Sequence, residues 1–411
     1  MKKLLSLLSF AFFFFGVLGQ TWTQKANFPG HIRDYDAGFT IGNYGYIGCG
    51  WDGSNYYNDF YKWNQTTNTW STIASYPGAG YHLSPISFTI EGKGYVGLGW
   101  NGSGGSQDLW SYDSATNTWT QMASLPGPGR YDEAVFVLGH KAYIITGSQG
   151  GPPYLNDIWM YDAHTNTWTQ KNNSPAGNVD GMVAFSVGGN GYIGGGWDGS
   201  MQHNQFWKYD STSDAWTSVA SIPFANGVSG DPRCFVIGNM AYVCTGTTNI
   251  STTIPVGYSY DPTTNTWTEF TNMGANGIER GYAVAFTIGN YGYIGTGIDS
   301  NGTYLNTFWQ YYPCSDTLLG INEVASIDVM GIKIHPNPSN GFITISYNGL
   351  TGKKSELQIT DITGRNVTML SLMGSSGQVT EDESILENGM YFYRVISDEK
   401  IVSTGKLIIS K

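Results

Sequence analysis

The chain has 411 residues, 20 Lys+Arg against 31 Asp+Glu, and a formal net charge of −11. Only ten of the cations fall within residues 20–320, too few for a basic face, and this excludes nucleic acid as a partner. Gly (56 residues) and aromatic side chains (15%) outweigh charged ones (12%), a pattern of short apolar runs between Gly-marked turns that reads as all-β.

In chain order, residues 1–19 read as a secretory signal peptide. Lys2 and Lys3 form the charged start, Leu4 to Leu18 the apolar run, and Val17-Leu18-Gly19 the cleavage region, so the mature chain begins near Gln20. No later run approaches the length of a membrane-spanning helix, and no transmembrane segment is expected in the mature chain.

From Thr21 onward one phrase repeats. An aromatic run ending in Gly recurs at Tyr46, Tyr95, Tyr143, Tyr192, Tyr242 and Tyr293. An aromatic-x-aromatic segment follows as Tyr61/Trp63, Trp110/Tyr112, Trp159/Tyr161, Trp207/Tyr209, Tyr258/Tyr260 and Trp309/Tyr311. A closing Trp stands at Trp70, Trp119, Trp168, Trp216 and Trp267, with a further copy at Trp22, so the period is about 50 residues. The first repeat reads as four strands: Ala37 to Ile41, Tyr46 to Cys49, Phe60 to Trp63 and Thr69 to Thr72. Gly42-Asn43 makes the first turn and Asn64 to Asn68 the last. Such a sheet has two apolar faces and is stable only when stacked on copies of itself.

Tyr-Ile-Gly-x-Gly, then Trp-x-Tyr-Asp, then Thr-Asn-Thr-Trp resembles the kelch repeat of β-propellers over residues 21–312, although the Gly-Gly doublet is intact only at Gly195-Gly196. The resemblance implies six blades around a channel. The sixth repeat ends at Tyr312 without its Thr-Asn-Thr-Trp strand, while Thr21-Trp22-Thr23-Gln24 stands alone at the other end. The N-terminal segment is therefore expected to complete blade six and remove an exposed sheet edge.

Residues 313–331 read as a linker and residues 332–411 as a small C-terminal β-sandwich. Pro336-Asn337-Pro338-Ser339-Asn340-Gly341, Asp361-Ile362-Thr363-Gly364, Leu386-Glu387-Asn388-Gly389-Met390-Tyr391 and the terminal Lys411 are similar to the sorting domain of the type IX secretion system. That resemblance implies a signal-directed passage through the periplasm and engagement of the type IX machinery by residues 332–411. It also implies delivery of the mature protein outside the cell or onto its outer surface.

Four cysteines fit an exported chain without defining a disulfide framework. If Cys234 pairs with Val243 across the Gly238-Asn239 turn, the Cys234 and Cys244 thiols point to opposite faces; a bulge would set them opposite each other and able to bond. Cys49 and Cys314 belong to neighbouring blades.

Candidate binding residues lie in the loops of one face. Six residues before the innermost-strand phenylalanines Phe39, Phe88, Phe136, Phe185, Phe235 and Phe286 stand Arg33, His82, Arg130, Val179, Ser229 and Arg280. Close by are Asp34, Asp36, Asp132, Glu133, Asp180, Asp231 and Glu279. Two readings are open: a charged mouth whose Arg forks grip a polar or anionic ligand, or arginines that pin the acid of their own loop. Trp51, Trp100 and Trp197 share one loop position and could stack on a sugar or a protein side chain, or pack between blades. Asp132 and Glu133 are adjacent in sequence, and neighbours on a strand point to opposite faces, a poor arrangement for an acid/base couple.

Kelch-like propellers include a copper radical oxidase and a sialic-acid epimerase, so the resemblance also allows a carbohydrate-active enzyme with its site at the channel mouth. His31, His82 and His203 lie on the loop face, but no motif ties them into a metal set, and no nucleophile motif or phosphate loop appears. The expectation is a monomeric binding protein without cofactor, metal or catalytic residues, whose partner is an extracellular protein or glycan.

Overall fold

The computed structural model describes residues 21–78, 83–224, 227–228, 230–249, 252–254, 256–272, 278–313, 332–337, 339, 342–350, 355–361, 366–382, 386–398 and 400–410. The proposed signal peptide, residues 314–331, His82, Ser229, Cys314 and Lys411 lie outside them. Strands form two compact units, one ending at Pro313 and one beyond it.

The first unit is built of six four-stranded antiparallel sheets, with a small two-stranded sheet of Thr247–Asn249 and Thr252–Thr253 beside them. Blade one is Ala37–Ile41, Tyr44–Gly48, Phe60–Asn64 and Thr69–Ile73, within two residues of the strands read from the sequence. Blades two to five repeat it from Ile86, Ala134, Asp180 and Cys234, and blade six begins at Val284. Every innermost Phe faces the Tyr of the second strand: Phe39↔Tyr46, Phe88↔Tyr95, Phe136↔Tyr143, Phe185↔Tyr192, Phe235↔Tyr242 and Phe286↔Tyr293. The rings of Phe39 and Tyr46 stack with centroids 4.8 Å apart, and such pairs contribute about 0.5–1.5 kcal/mol beyond the area they bury.

Blades lock together through those phenylalanines. Phe39 of blade one lies where a Cβ on Gly94 of blade two would stand; Phe136 does the same to Gly191, Phe235 to Gly292 and Phe286 to Gly45. The small residue is a socket for the preceding blade's ring, which is why the residue before the second-strand Tyr is Gly in four blades (Gly45, Gly94, Gly191 and Gly292) and Ala in the other two (Ala142 and Ala241). At the rim, Asn68, Asn117, Asn166, Asp214 and Asn265 adopt left-handed φ of 52–55°, which Asn and Asp tolerate best among residues with a side chain. Their side chains then brace two blades. Asn117 Oδ1 accepts from the Tyr112 hydroxyl at 2.8 Å and from the Ala74 N–H of blade one at 2.9 Å, while Trp119 Nε1 donates to the Ala74 carbonyl. The Thr-Asn-Thr-Trp phrase is thus an inter-blade staple.

The ring closes as expected. Thr21–Gln24 pairs with Phe308–Tyr312 in the register Trp22↔Tyr311, equivalent to Trp70↔Trp63 in blade one.

In the second unit, Lys333–His335, Phe342–Asn348 and Ser376–Asp382 form one sheet; Asn366–Leu372, Ser355–Thr360, Gly389–Ser397 and Lys400–Ile409 form another. Ile343, Ile345, Leu357, Ile359, Val395 and Leu407 share their core. Asn337 of the Pro-Asn-Pro opening donates to the Lys406 carbonyl and accepts from the Ile408 N–H at 2.9 Å. The opening motif is thereby tied to the last strand.

Cys234 pairs with Val243, and Cys49, Cys234 and Cys244 are free thiols. The regular turn is realised, so Cys234 and Cys244 point apart and do not bond.

Candidate functional site

The three arginines proposed for the channel mouth are placed differently from the gripping role. Arg33, Arg130 and Arg280 are 0% exposed. A buried guanidinium requires partners for its donors, and each blade supplies them internally. Arg130 Nε donates to the Pro128 carbonyl, Nη1 to the Thr146 carbonyl and to Asp157 Oδ1 (2.7 Å), and Nη2 to Asp157 Oδ2 (2.9 Å). Arg33 repeats this with the His31 and Cys49 carbonyls and a fork on Asp59. Arg280 uses the Ile278, Thr296 and Thr307 carbonyls and the Thr307 hydroxyl, and burial lowers it to about 10. The acid each fork meets lies just before the third strand, not in the arginine's own loop. These side chains are clasps between the blade's entrance and its third strand, each buried with four of its five N–H donors taken up inside its own blade.

Although burial works the other way, the Arg130 fork holds Asp157 below the usual carboxylate range. Replacing Arg130→Met strands that carboxylate and is expected to cost about 3–5 kcal/mol. Arg130→Met with Asp157→Leu is expected to recover at least half of the loss. Urea unfolding of both variants measures this, and a single variant as stable as wild type would contradict the clasp.

The acids form the mouth itself. Four residues before each innermost Phe the backbone turns left-handed: Tyr35, Ser84, Asp132, Gly181, Asp231 and Tyr282 have φ of 50–57°. Backbone bonds there run from blade to blade: Tyr35 N–H to the Tyr282 carbonyl, Ser84 to Tyr35, Gly181 to Asp132 and Tyr282 to Gly230. This collar carries carboxylates on and beside it. Ser84 Oγ donates to Asp231 Oδ2 at 2.8 Å, and Arg233 Nη2 lies 3.4 Å from the same oxygen. Asp34 Oδ1, Asp132 Oδ1 and both oxygens of Asp36 and Glu133 are buried without a hydrogen-bond partner among the described residues. Asp180 is half-buried on blade four's first strand, and Glu279, also half-buried, has one oxygen without a partner.

Burial dominates their protonation. It pushes Asp34 up to about 8, with Asp36 and Asp231 adding repulsion. It holds Asp36 at about 7 against the pull of Arg33, and Glu133 at about 8 against Arg130 and Arg233. Asp180 rises to about 7 through burial and Asp231, and Asp132 rises well above its ordinary value through burial and the same neighbour. On the collar itself, Tyr35 and Tyr282 stack with centroids 4.3 Å apart. A cavity of about 160 Å³ is lined from all six blades, by Asp36, Ser87, Glu133 and Arg233 among others.

Trp51, Trp100 and Trp197 are half-buried on the loop face. Trp51 packs edge-on to Tyr304 of blade six and Trp100 to Tyr131 of blade three, so each braces neighbouring loops. The Asp-Gly-Ser segments after them are Asx turns: Asp52 accepts from the Ser54 and Asn55 N–H groups, Asp198 from Ser200 and Met201. His31 stacks on Tyr57, and His203 contacts Asp198. No group of three His, Cys, Asp or Glu stands close enough to hold a metal among the described residues.

The sequence reading missed the third-strand acids, Asp59 and Asp157. A signal existed. Blades with Arg at the entrance carry Asp or Thr before strand three, whereas blade four pairs Val179 with Gln205.

Known proteins agree with this architecture. Residues 122–297 match the KLHDC2/KLHL20/DRC7 Kelch-repeats domain, and residues 333–410 match the secretion system C-terminal sorting domain. The solved structure described as "Structure of YjhT" has a TM-score of 0.58 and 18% identity, covering 69% of this chain and 96% of that chain. At that identity the likeness shows the fold alone. No curated protein matches the chain in sequence. The protein is a kelch-repeat β-propeller followed by a type IX sorting domain. The sorting domain implies export through that system to the cell surface or extracellular space, and kelch repeats suggest a protein-binding propeller. No helix among the described residues is long and apolar enough to cross a membrane.

Proposed function

We propose that this protein is an exported binding propeller that holds an extracellular protein partner on its loop face. One observation carries the reading. Among the described residues of the propeller, the large apolar side chains left exposed are Ile32 (46%) and Met201 (57%), and both stand in loops of that face. Exposed apolar side chains amid polar loops fit a contact surface, and the opposite face is closed by tight turns such as Gly42-Asn43 and Gly238-Asn239. Ile32→Glu and Met201→Glu are each expected to weaken partner capture from the cell's surroundings at least about tenfold, the cost of a charge in an apolar contact. Asn239→Glu on the turn face is expected to change nothing. Equal capture by all three variants would refute the loop face as the binding surface, and strong binding to a glycan array would move the partner to carbohydrate.

A carbohydrate-active enzyme at the mouth is the second reading. Asp36 at about 7 and Glu133 at about 8 are in the range of general acids at neutral pH. Turnover of a sugar by the wild type, lost in Glu133→Gln, would establish it.

For export, a chain lacking residues 332–411 is expected to accumulate in the periplasm, measured by fractionation. Undiminished secretion of that truncation would contradict the sorting role.

A further inference from the structure

We propose that the channel mouth is a receptor for an organic cation: a primary ammonium group held by Asp36 and Glu133 in the cavity that both line. This deepens the reading of the loop face as a binding surface, since the mouth is its centre. It does not require that Ile32 or Met201 touch a partner.

The argument starts from charge. Asp34, Asp36, Asp132, Glu133, Asp180 and Asp231 converge on the collar and the first turn of the channel. Arg33 and Arg130 are each committed in a fork to Asp59 and Asp157. Arg233 remains as the cation facing the cavity, and its Nε donates to the Ala283 carbonyl while Nη2 leans on Asp231. The mouth therefore holds an excess of carboxyl groups.

The second step is the state of two of those groups. Asp36 is 2% exposed and Glu133 4% exposed, and no well-formed hydrogen bond reaches any of their four oxygens among the described residues; the Thr296 hydroxyl that acts on Asp36 is turned to the Gly295 carbonyl. Both line the cavity. Buried polar groups are ordinarily satisfied, and a desolvated carboxylate without a donor costs several kcal/mol. Two such side chains from blades one and three, aimed into one cavity, leave room for a donor that the chain does not supply. An ammonium brings three N–H donors, and its charge favours the ionised form of both carboxyl groups over the protonated form that burial imposes.

The third step is the kind of cation. The acids are spread around the channel, and no three of them stand close enough to ligate one ion. A calcium ion would need 6–8 oxygens at about 2.3–2.6 Å. A larger cation with donors on a flexible stem reaches separated carboxylates without gathering them. The cavity of about 160 Å³ is far larger than a single water needs and has room for a small alkylamine. The source is either a free alkylamine or a lysine side chain presented by a partner, and the two share this chemistry.

The full-length protein is titrated by calorimetry with 1,4-diaminobutane, its N,N′-diacetyl form, calcium chloride, and the peptides Gly-Lys-Gly and Gly-Lys(acetyl)-Gly. The free diamine is expected to bind and its acetylated form not to. Binding by Gly-Lys-Gly as well assigns the site to a lysine side chain; binding by the diamine alone assigns it to a free amine. Asp36→Asn with Glu133→Gln is expected to weaken amine binding at least about tenfold, as loss of charge-assisted hydrogen bonds does. Glu133→Lys, which carries its own ammonium into the cavity, is expected to raise the melting temperature and to block the diamine. No heat from the diamine or the lysine peptide, calcium binding without amine binding, or amine binding unchanged in both variants would overturn the proposal. These outcomes are independent of partner capture by the Ile32 and Met201 variants, so either idea can fail alone.

Discussion

A chain lacking Thr21–Gln24 is expected to lose about 10 °C or more of melting temperature and to aggregate, at about 2–4 °C for each kcal/mol lost in a domain of this size. The segment is short, but three blades depend on it. It pairs along blade six from Thr21↔Tyr312 to Gln24↔Trp309. Its Trp22 ring lies 5.0 Å from Tyr311 and edge-on to Phe235 of blade five at 6.3 Å. Just beyond it, Ala26 donates to Asn68 Oδ1 and accepts from Trp70 Nε1 of blade one. Deleting the strand frees the backbone groups of Phe308–Tyr312 and leaves an open sheet edge, the feature that templates aggregation. Trp22→Ala keeps the ladder and is expected to cost about 3 kcal/mol through the lost ring contacts. The decisive arm is complementation: a synthetic peptide of residues 20–28, supplied in trans, is expected to restore the melting temperature by adding the missing strand. A deletion variant as stable as wild type, or one indifferent to the peptide, would contradict the closure.

The split sixth repeat shows what the sequence could carry. Trp22 and Tyr311 lie at opposite ends of the propeller region, yet the phrase order alone places them on adjacent strands, because a repeat that lacks its fourth strand and a fourth strand without a repeat fit each other. The scaffold was legible for the same reason throughout: Phe39, Tyr46, Trp63 and Trp70 act through packing, and packing repeats. The roles at the mouth were not legible. Arg33, Arg130 and Arg280 looked like ligand-binding forks because cations are scarce in this chain. Their partners lie some 27 residues away across a sheet (Arg130 to Asp157, for instance), and nothing local announces a buried guanidinium. The acids were found, but not their state. Asp34 and Asp36 flank a left-handed residue, Tyr35, and at such a kink strand alternation no longer tells which side chain turns inward. Asp132 and Glu133 sit on the same kind of kink, and Glu133 lines the cavity.

Those buried acids set how stability should vary with pH. Folding raises Asp34 and Glu133 to about 8 and Asp36 and Asp180 to about 7, whereas in the unfolded chain they titrate near 4. Between about pH 4 and 8 the folded state keeps protons that the unfolded state has released, so stability falls as pH rises. The contribution is whole below the unfolded values and is lost once pH passes the folded ones. Groups shifted the other way, Asp52 and Asp198 in their Asx turns and Asp157 under Arg130, favour folding above about pH 4 and lose that effect only in stronger acid. They leave the upper window to the mouth acids. The melting temperature is therefore expected to be highest near pH 5 and lower by about 5 °C or more at pH 8.5, which two to three kcal/mol would produce. Asp34→Asn with Glu133→Gln removes two of the raised acids, leaving Asp36, Asp132 and Asp180, and is expected to flatten the slope while raising the melting temperature at pH 8.5. Differential scanning calorimetry across that range measures both. A wild-type profile that is level or rises toward pH 8.5 would mean that the mouth acids are already ionised in the folded protein, and that the fold meets their charge in a way the hydrogen bonds around Asp36 and Glu133 do not show.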